Sequence, residues 1–65
     1  MKDTWTAFVT WPDNPAFDGW TEEVDVEANH YAEARDLAAA ALTAGYEPGW
    51  KIIDLVCRIP GYITY

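Results

Sequence analysis

Alternating apolar and polar positions in the first half of the chain predict two strands. Residues 4–11 place their apolar side chains on one face: Trp5, Ala7, Val9 and Trp11. The other face of that stretch carries Thr4, Thr6, Phe8 and Thr10. In residues 20–28 the core-facing positions are Trp20, Val24, Val26 and Ala28, and the intervening positions are Thr21, Glu23, Asp25 and Glu27. We expect each strand to bury one face.

The segment between these strands, residues 12–19, consists largely of turn-forming residues. It contains Pro12 and Pro15, an Asp-Asn pair and an Asp-Gly pair, and these do not continue a strand ladder. We therefore predict a hairpin loop that is longer than the two-residue kind. Phe17 within it is expected to fold back onto the edge of the sheet.

Alanine dominates the segment that follows, and its apolar residues recur at helical spacing. The predicted apolar stripe comprises Tyr31, Ala34, Leu37, Ala38, Ala41 and Leu42. His30 and Glu33 have the spacing of a capping box, whereas Asn29 is the better N-cap by residue type, so the helix starts at one or the other. Gly45 is placed to end the helix, and Pro48 prevents its continuation.

A third strand is predicted over residues 50–59. The positions assigned to the core are Ile53, Leu55, Cys57 and Ile59, and those assigned to the opposite face are Ile52, Asp54, Val56 and Arg58. Pro60 and Gly61 fit the centre of a type II turn. Residues 62–65 then form either a short fourth strand or a tail that packs on the sheet.

These elements predict a single α+β domain, residues 1–65, with the order β-β-α-β. The helix reverses the chain, so the third strand runs parallel to the second and pairs antiparallel with the first. The expected sheet has the strand order 2-1-3, with the one helix on one face. A hydrophobic fraction of 51% argues against a disordered chain. Four tryptophans supply bulk to so small a core, and Trp11, Trp20 and Trp50, near strand ends, are expected to be partly exposed.

Charge narrows the classes of partner. Eleven acidic residues face four basic ones, which gives a net charge of −7. Repulsion from phosphates disfavours both nucleic acid and anionic membranes as partners. The acidity suits a cationic partner, or it serves solubility alone. Glu23, Asp25 and Glu27 share one strand face, where they either protect an edge strand from aggregation or dock a basic surface. The extreme form of such docking is DNA mimicry.

Few side chains are available for catalysis or for holding a metal. The chain has one histidine, His30, and one cysteine, Cys57. We assign His30 to the helix start and Cys57 to the core, and a zinc site needs four such ligands. The acidic set considered for calcium is Asp13, Asp18, Glu22, Glu23, Asp25 and Glu27. Most of these lie on a predicted strand, which splays alternate side chains apart and does not suit calcium. We expect no enzyme activity, no cofactor and no metal site. A lone cysteine and the lack of a signal-like or membrane-spanning apolar run favour a cytoplasmic location.

The sheet face away from the helix is the candidate site. A lone helix covers one face, so the other is expected to show an apolar centre inside a polar rim, which is the anatomy of an interface. The predicted binding residues are Thr6, Phe8, Thr10, Glu23, Asp25, Glu27, Ile52 and Val56. The alternative is that threonines and charged stems merely shelter Phe8. We predict a non-enzymatic protein-interaction module; the other hypotheses are a self-assembling structural homodimer and a DNA-mimic inhibitor.

The strand-to-helix junction carries a resemblance. Residues 26–35, Val-Glu-Ala-Asn-His-Tyr-Ala-Glu-Ala-Arg, are followed by an alanine-rich helix. This stretch resembles small uncharacterised proteins of actinobacteria and their phages, which are similar also in length, acidity and tryptophan-rich strands. The resemblance implies a strand–strand–helix–strand plan and a phage accessory role in binding a host protein. It implies no functional residues.

Overall fold

Three strands and one helix build the fold of the computed structural model, which describes residues 2–58. In chain order these are β1 (Asp3–Thr10), β2 (Glu22–Ala28), α1 (Tyr31–Gly45) and β3 (Lys51–Arg58), with a 3₁₀ turn at Pro15–Phe17. The sheet is antiparallel with the order β2-β1-β3. The predicted fold class and strand order are therefore confirmed. Ile59, the turn at Pro60 and Gly61, and the strand predicted over residues 62–65 lie outside the described residues.

The pairing of β1 with both neighbours explains why one face of the sheet is apolar. Ala7, in the central strand, lies opposite Val24 of β2 and Leu55 of β3. All three side chains are buried. Because side chains alternate along a strand, this pairing places every second residue of each strand on the same core face.

A β-bulge in β3 changes the predicted faces of two isoleucines. Phe8 pairs with Asp54, whereas the next residue, Val9, pairs with Ile52, so Ile53 is the extra residue. Ile52 packs against the core and Ile53 is 57% exposed. The prediction that Ile52 faces away from the helix, with Ile53 in the core, is wrong. An inserted residue exchanges the inward and outward positions of the residues that precede it in the strand. A prediction that assumes strict alternation along the sequence does not detect such an insertion.

The buried side of α1 is narrower than the predicted stripe. Ala34, Ala38 and Leu42 are fully buried, and they face the sheet mainly over β2. Small alanine side chains let the helix backbone approach the strands closely. Leu37 is 41% exposed because, at 100° per residue, it lies about 100° around the helix from the middle of this row. Tyr31, Leu37 and Ala41, placed in the stripe by their spacing, are exposed.

The start of α1 is fixed by a reciprocal capping arrangement. His30 is the N-cap, and its Nδ1 accepts a hydrogen bond from the backbone N–H of Glu33 at 3.2 Å. The Glu33 carboxylate in turn accepts from the backbone N–H of Asn29 at 2.8 Å. His30 is thus the residue that begins the helix, and Asn29 takes part as the donor.

Replacing His30 with alanine is expected to lower the free energy of unfolding by about 0.5–1 kcal/mol, because an orphan helix N–H loses its partner. His30→Asp restores an acceptor and adds a negative charge near the positive end of the helix dipole, so it should equal or exceed the wild type. Urea denaturation of the three proteins measures the difference. Equal stability of wild type and His30→Ala would show that the cap contributes nothing.

Candidate functional site

The sheet face opposite α1 is formed by alternate residues of all three strands, and we call it the open face. Its members are Thr4, Thr6, Phe8 and Thr10 from β1, Glu23, Asp25 and Glu27 from β2, and Lys51, Asp54, Val56 and Arg58 from β3. The predicted site residues other than Ile52 are thus brought together on one surface. Ile52 is missing from it because the bulge turns that side chain towards the core.

Thr6 lies at the middle of the open face and is fully buried. Its hydroxyl donates to the Asp25 carboxylate at 2.6 Å. Arg58 of β3 lies opposite Thr4, and Glu23 of β2 lies opposite Phe8. The Arg58 guanidinium nevertheless approaches the Glu23 carboxylate to 3.5 Å. The ion pair therefore spans β1 at the level of Thr6. Thr6 supports the acidic rim and offers little surface for contact.

The apolar part of the open face is smaller than predicted. It consists of Phe8, which is half-buried, and Val56, which is 40% exposed. Val56 lies opposite Thr6, so it is a diagonal neighbour of Phe8 across the strand pair. Two apolar side chains form a compact anchor with a small contact area.

Acidic side chains surround this anchor. Glu23, Asp25 and Glu27 on β2 and Asp54 on β3 are all exposed. Two basic residues of β3, Lys51 and Arg58, oppose these four carboxylates from the two ends of the face. Arg58 and Glu23 are about 60% exposed, so solvent screens their ion pair and it stabilises the fold little. The open face consequently projects a negative potential, which attracts cationic surfaces and weakens with salt.

The tryptophans near strand ends have different environments. Trp11 is only 3% exposed, its ring stacks on Phe17 with centroids 4.7 Å apart, and its indole N–H donates to the carbonyl of Glu47 at 2.7 Å. The predicted partial exposure of Trp11 is therefore wrong, whereas the half-buried Trp50 behaves as predicted. Trp20 is 55% exposed, as expected near a strand end, but its predicted place on the core face of the second strand is wrong because β2 begins at Glu22. The contact with Trp11 also shows that Phe17 folds back as predicted.

A groove of about 250 Å³ lies between α1 and the start of β3. Its lining residues are Arg35, Asp36, Ala39, Trp50, Lys51 and Ile52. The sequence did not reveal it, because the bulge that turns Ile52 inwards leaves no trace in the residue pattern. Arg35 and Lys51, two of the four basic residues in the chain, meet here, but Asp36 beside them offsets part of their charge.

The histidine and the cysteine have structural surroundings. His30 caps α1, as described above. Cys57 is half-buried opposite Trp5, where partial burial and, secondarily, the negative charge of Asp3 raise the pKa of its thiol. A raised pKa keeps the thiol protonated at neutral pH, which makes it a poor nucleophile. Among residues 2–58, no three His, Cys, Asp or Glu side chains converge in a way that could hold a metal ion.

Two further findings concern membrane spans and similarity to known proteins. Within the described part of the chain, no helix has both the length and the apolar character needed to cross a membrane. Comparison with protein-family models, with curated proteins and with solved structures finds no match to this chain. The geometry and charge of the open face are therefore the basis for a functional proposal.

Proposed function

We propose that this chain is a non-enzymatic interaction module that binds a basic surface of a partner protein through its open face. The observation that carries the proposal is the placement of Phe8 and Val56 inside a rim of four exposed carboxylates. An apolar anchor that excludes water, surrounded by charged groups, is the usual anatomy of a protein interface.

Part of the acidic rim is held in place before any partner arrives. Thr6 is fully buried and anchors the carboxylate of Asp25 through a 2.6 Å hydrogen bond. A side chain that is already ordered loses less conformational entropy on binding. This arrangement favours lysine or arginine side chains of a partner that approach along β2.

The small apolar anchor and the excess of negative charge suggest how binding energy is divided. Two apolar side chains supply limited hydrophobic burial, so charge complementarity is expected to determine the association rate and the choice of partner. Binding should therefore weaken as salt concentration rises. The resemblance of residues 26–35 to small proteins of actinobacteria and their phages leads us to propose a host protein as the partner, and the lone cysteine favours a cytoplasmic setting.

Phe8→Asp is expected to abolish partner binding while the fold survives, because the new carboxylate places an unpaired charge where the interface must lose water. Ile53→Asp is the matched control, since Ile53 is an exposed apolar residue of β3 but is the unpaired bulge residue and not one of the paired residues that define the open face. Wild type and both variants are immobilised and exposed to a lysate of an actinobacterial host. Basic proteins should be captured by wild type and by Ile53→Asp, should elute with salt, and should be lost with Phe8→Asp.

Circular dichroism of each variant checks that the fold is retained. If Phe8→Asp captures the same proteins as wild type, the open face is not the binding surface. If the captured proteins resist elution at high salt, the acidic rim does not contribute to the interaction.

A further inference from the structure

We propose that β3 pairs with β3 of a second copy of this chain, antiparallel and centred on Val56, to form a six-stranded sheet. The pairing brings Asp54 of each copy opposite Arg58 of the other. It uses the sheet edge rather than the open face, so it goes beyond the proposed function.

The outer edge of β3 is available for such pairing within the described residues, because β1 is the only strand among them that pairs with β3. The backbone N–H of Leu55 donates to the carboxylate of Asp54 at 2.9 Å. In an antiparallel ladder the backbone groups of alternate residues point to opposite sides of the strand. We infer that Leu55 and Cys57 direct their N–H and C=O groups outwards, where a second strand can bond to them.

Charge favours one register for the pairing: of the two-fold axes that pass through a residue of 54–58, the axis at Val56 alone sets unlike charges opposite each other. We consider a shared sheet in which both copies keep their helices on the same side. Each residue of one β3 must then lie opposite a residue of the other β3 that belongs to the same face. This holds when the two-fold axis passes through a position where one residue meets its own copy. Centring on Asp54 opposes two carboxylates, and centring on Arg58 opposes two guanidinium groups. Centring on Val56 opposes Asp54 with Arg58 twice and leaves the two Val56 side chains in contact. Leu55 and Cys57 then exchange backbone hydrogen bonds with Cys57 and Leu55 of the second copy. The Leu55 N–H gives up its bond to the Asp54 carboxylate, which is then free to accept from Arg58 of the second copy.

The rest of the fold accommodates this arrangement. α1 packs mainly over β2, which is the opposite edge of the sheet from β3. The bulge at Ile53 ends the regular strand just before Asp54, which limits the ladder to residues 54–58. Arg58 is 60% exposed and can reorient from its 3.5 Å contact with Glu23 towards the second copy.

The first test reverses the two charges. The mass of the full chain is measured by sedimentation equilibrium from about 10 µM to about 1 mM, and we expect wild type to dimerise within this range. Asp54→Arg alone and Arg58→Asp alone should each weaken dimerisation about 30-fold, because two attractive pairs become repulsive. Mixing these two variants should restore dimers, since each then supplies the charge that the other lacks, and the doubly reversed protein should dimerise like wild type.

The second test reads the register directly. In a Cys57→Ala background, Val56→Cys should form a disulfide-linked dimer under mild oxidation, because that residue meets itself across the two-fold axis. Ile53→Cys is the matched control: it is exposed on the same strand but does not meet itself, so it should link at least about tenfold more slowly.

Several results would overturn the proposal. A monomer throughout the concentration range would do so. A dimer that survives both single charge reversals would place the contact on another surface. Phe8→Asp leaves the β3 edge intact, so loss of partner binding with retention of the dimer would separate this proposal from the proposed function.

Discussion

Trp11→Ala is expected to leave the domain largely unfolded at room temperature. The Trp11 side chain is 3% exposed, stacks with Phe17 and with Tyr46, and its indole N–H donates to the carbonyl of Glu47. Removing a buried aromatic ring costs about 3–5 kcal/mol. A 65-residue domain has a total stability of roughly 3–10 kcal/mol, so the loss approaches the whole.

Near-ultraviolet circular dichroism and urea denaturation measure this effect. Trp20→Ala is the matched control, because Trp20 is 55% exposed and its removal should change stability by less than about 0.5 kcal/mol. Trp11→Phe keeps an aromatic ring but loses the indole N–H, so it should fall between wild type and Trp11→Ala. Cooperative unfolding of Trp11→Ala at the wild-type midpoint would show that the aromatic stack does not stabilise the fold.

Leu42→Ala should have the second largest effect, a loss of about 2–4 kcal/mol of unfolding free energy. Leu42 is among the largest fully buried side chains and lies on the last turns of α1. Truncation removes apolar contacts with the sheet and leaves a cavity that the rigid strands cannot fill. Alanine is a better helix former than leucine, so any loss comes from packing.

Leu37→Ala on the same helix is a close control, since the substitution is identical but Leu37 is 41% exposed. Its unfolding free energy should change by less than about 1 kcal/mol. Urea denaturation of both variants gives the comparison. If Leu37→Ala is as destabilising as Leu42→Ala, the orientation of α1 on the sheet differs from that described here.

The order of strands and helix followed from the sequence, whereas the face of Ile52 did not. The alternation in residues 4–11 and the helical spacing after residue 30 are strong local signals, and the short connections limit the topology to one arrangement. Two adjacent isoleucines, Ile52 and Ile53, satisfy either register equally well. Only the pairing of Ile52 with Val9, a contact between residues distant in sequence, decides which one faces the core.

The candidate site was predicted as a surface but not in its details. A single helix over three strands requires one uncovered face, so Phe8, Val56 and the acidic residues of β2 could be assigned to it from topology. The burial of Thr6 depends on the Asp25 hydrogen bond and on an ion pair that crosses β1. Such long-range polar contacts have no periodic signature in a sequence, and the same holds for the hydrogen bond that buries Trp11.

The hydrogen bond from Trp11 to Glu47 has a consequence for local opening. One indole ring touches Phe17 in the connection between β1 and β2, and Tyr46 and Glu47 in the connection between α1 and β3. Two loops that are about thirty residues apart in sequence therefore share one side chain and are expected to open together. Amide exchange and proteolysis in either loop should report the same event, with Trp11 fluorescence changing in step.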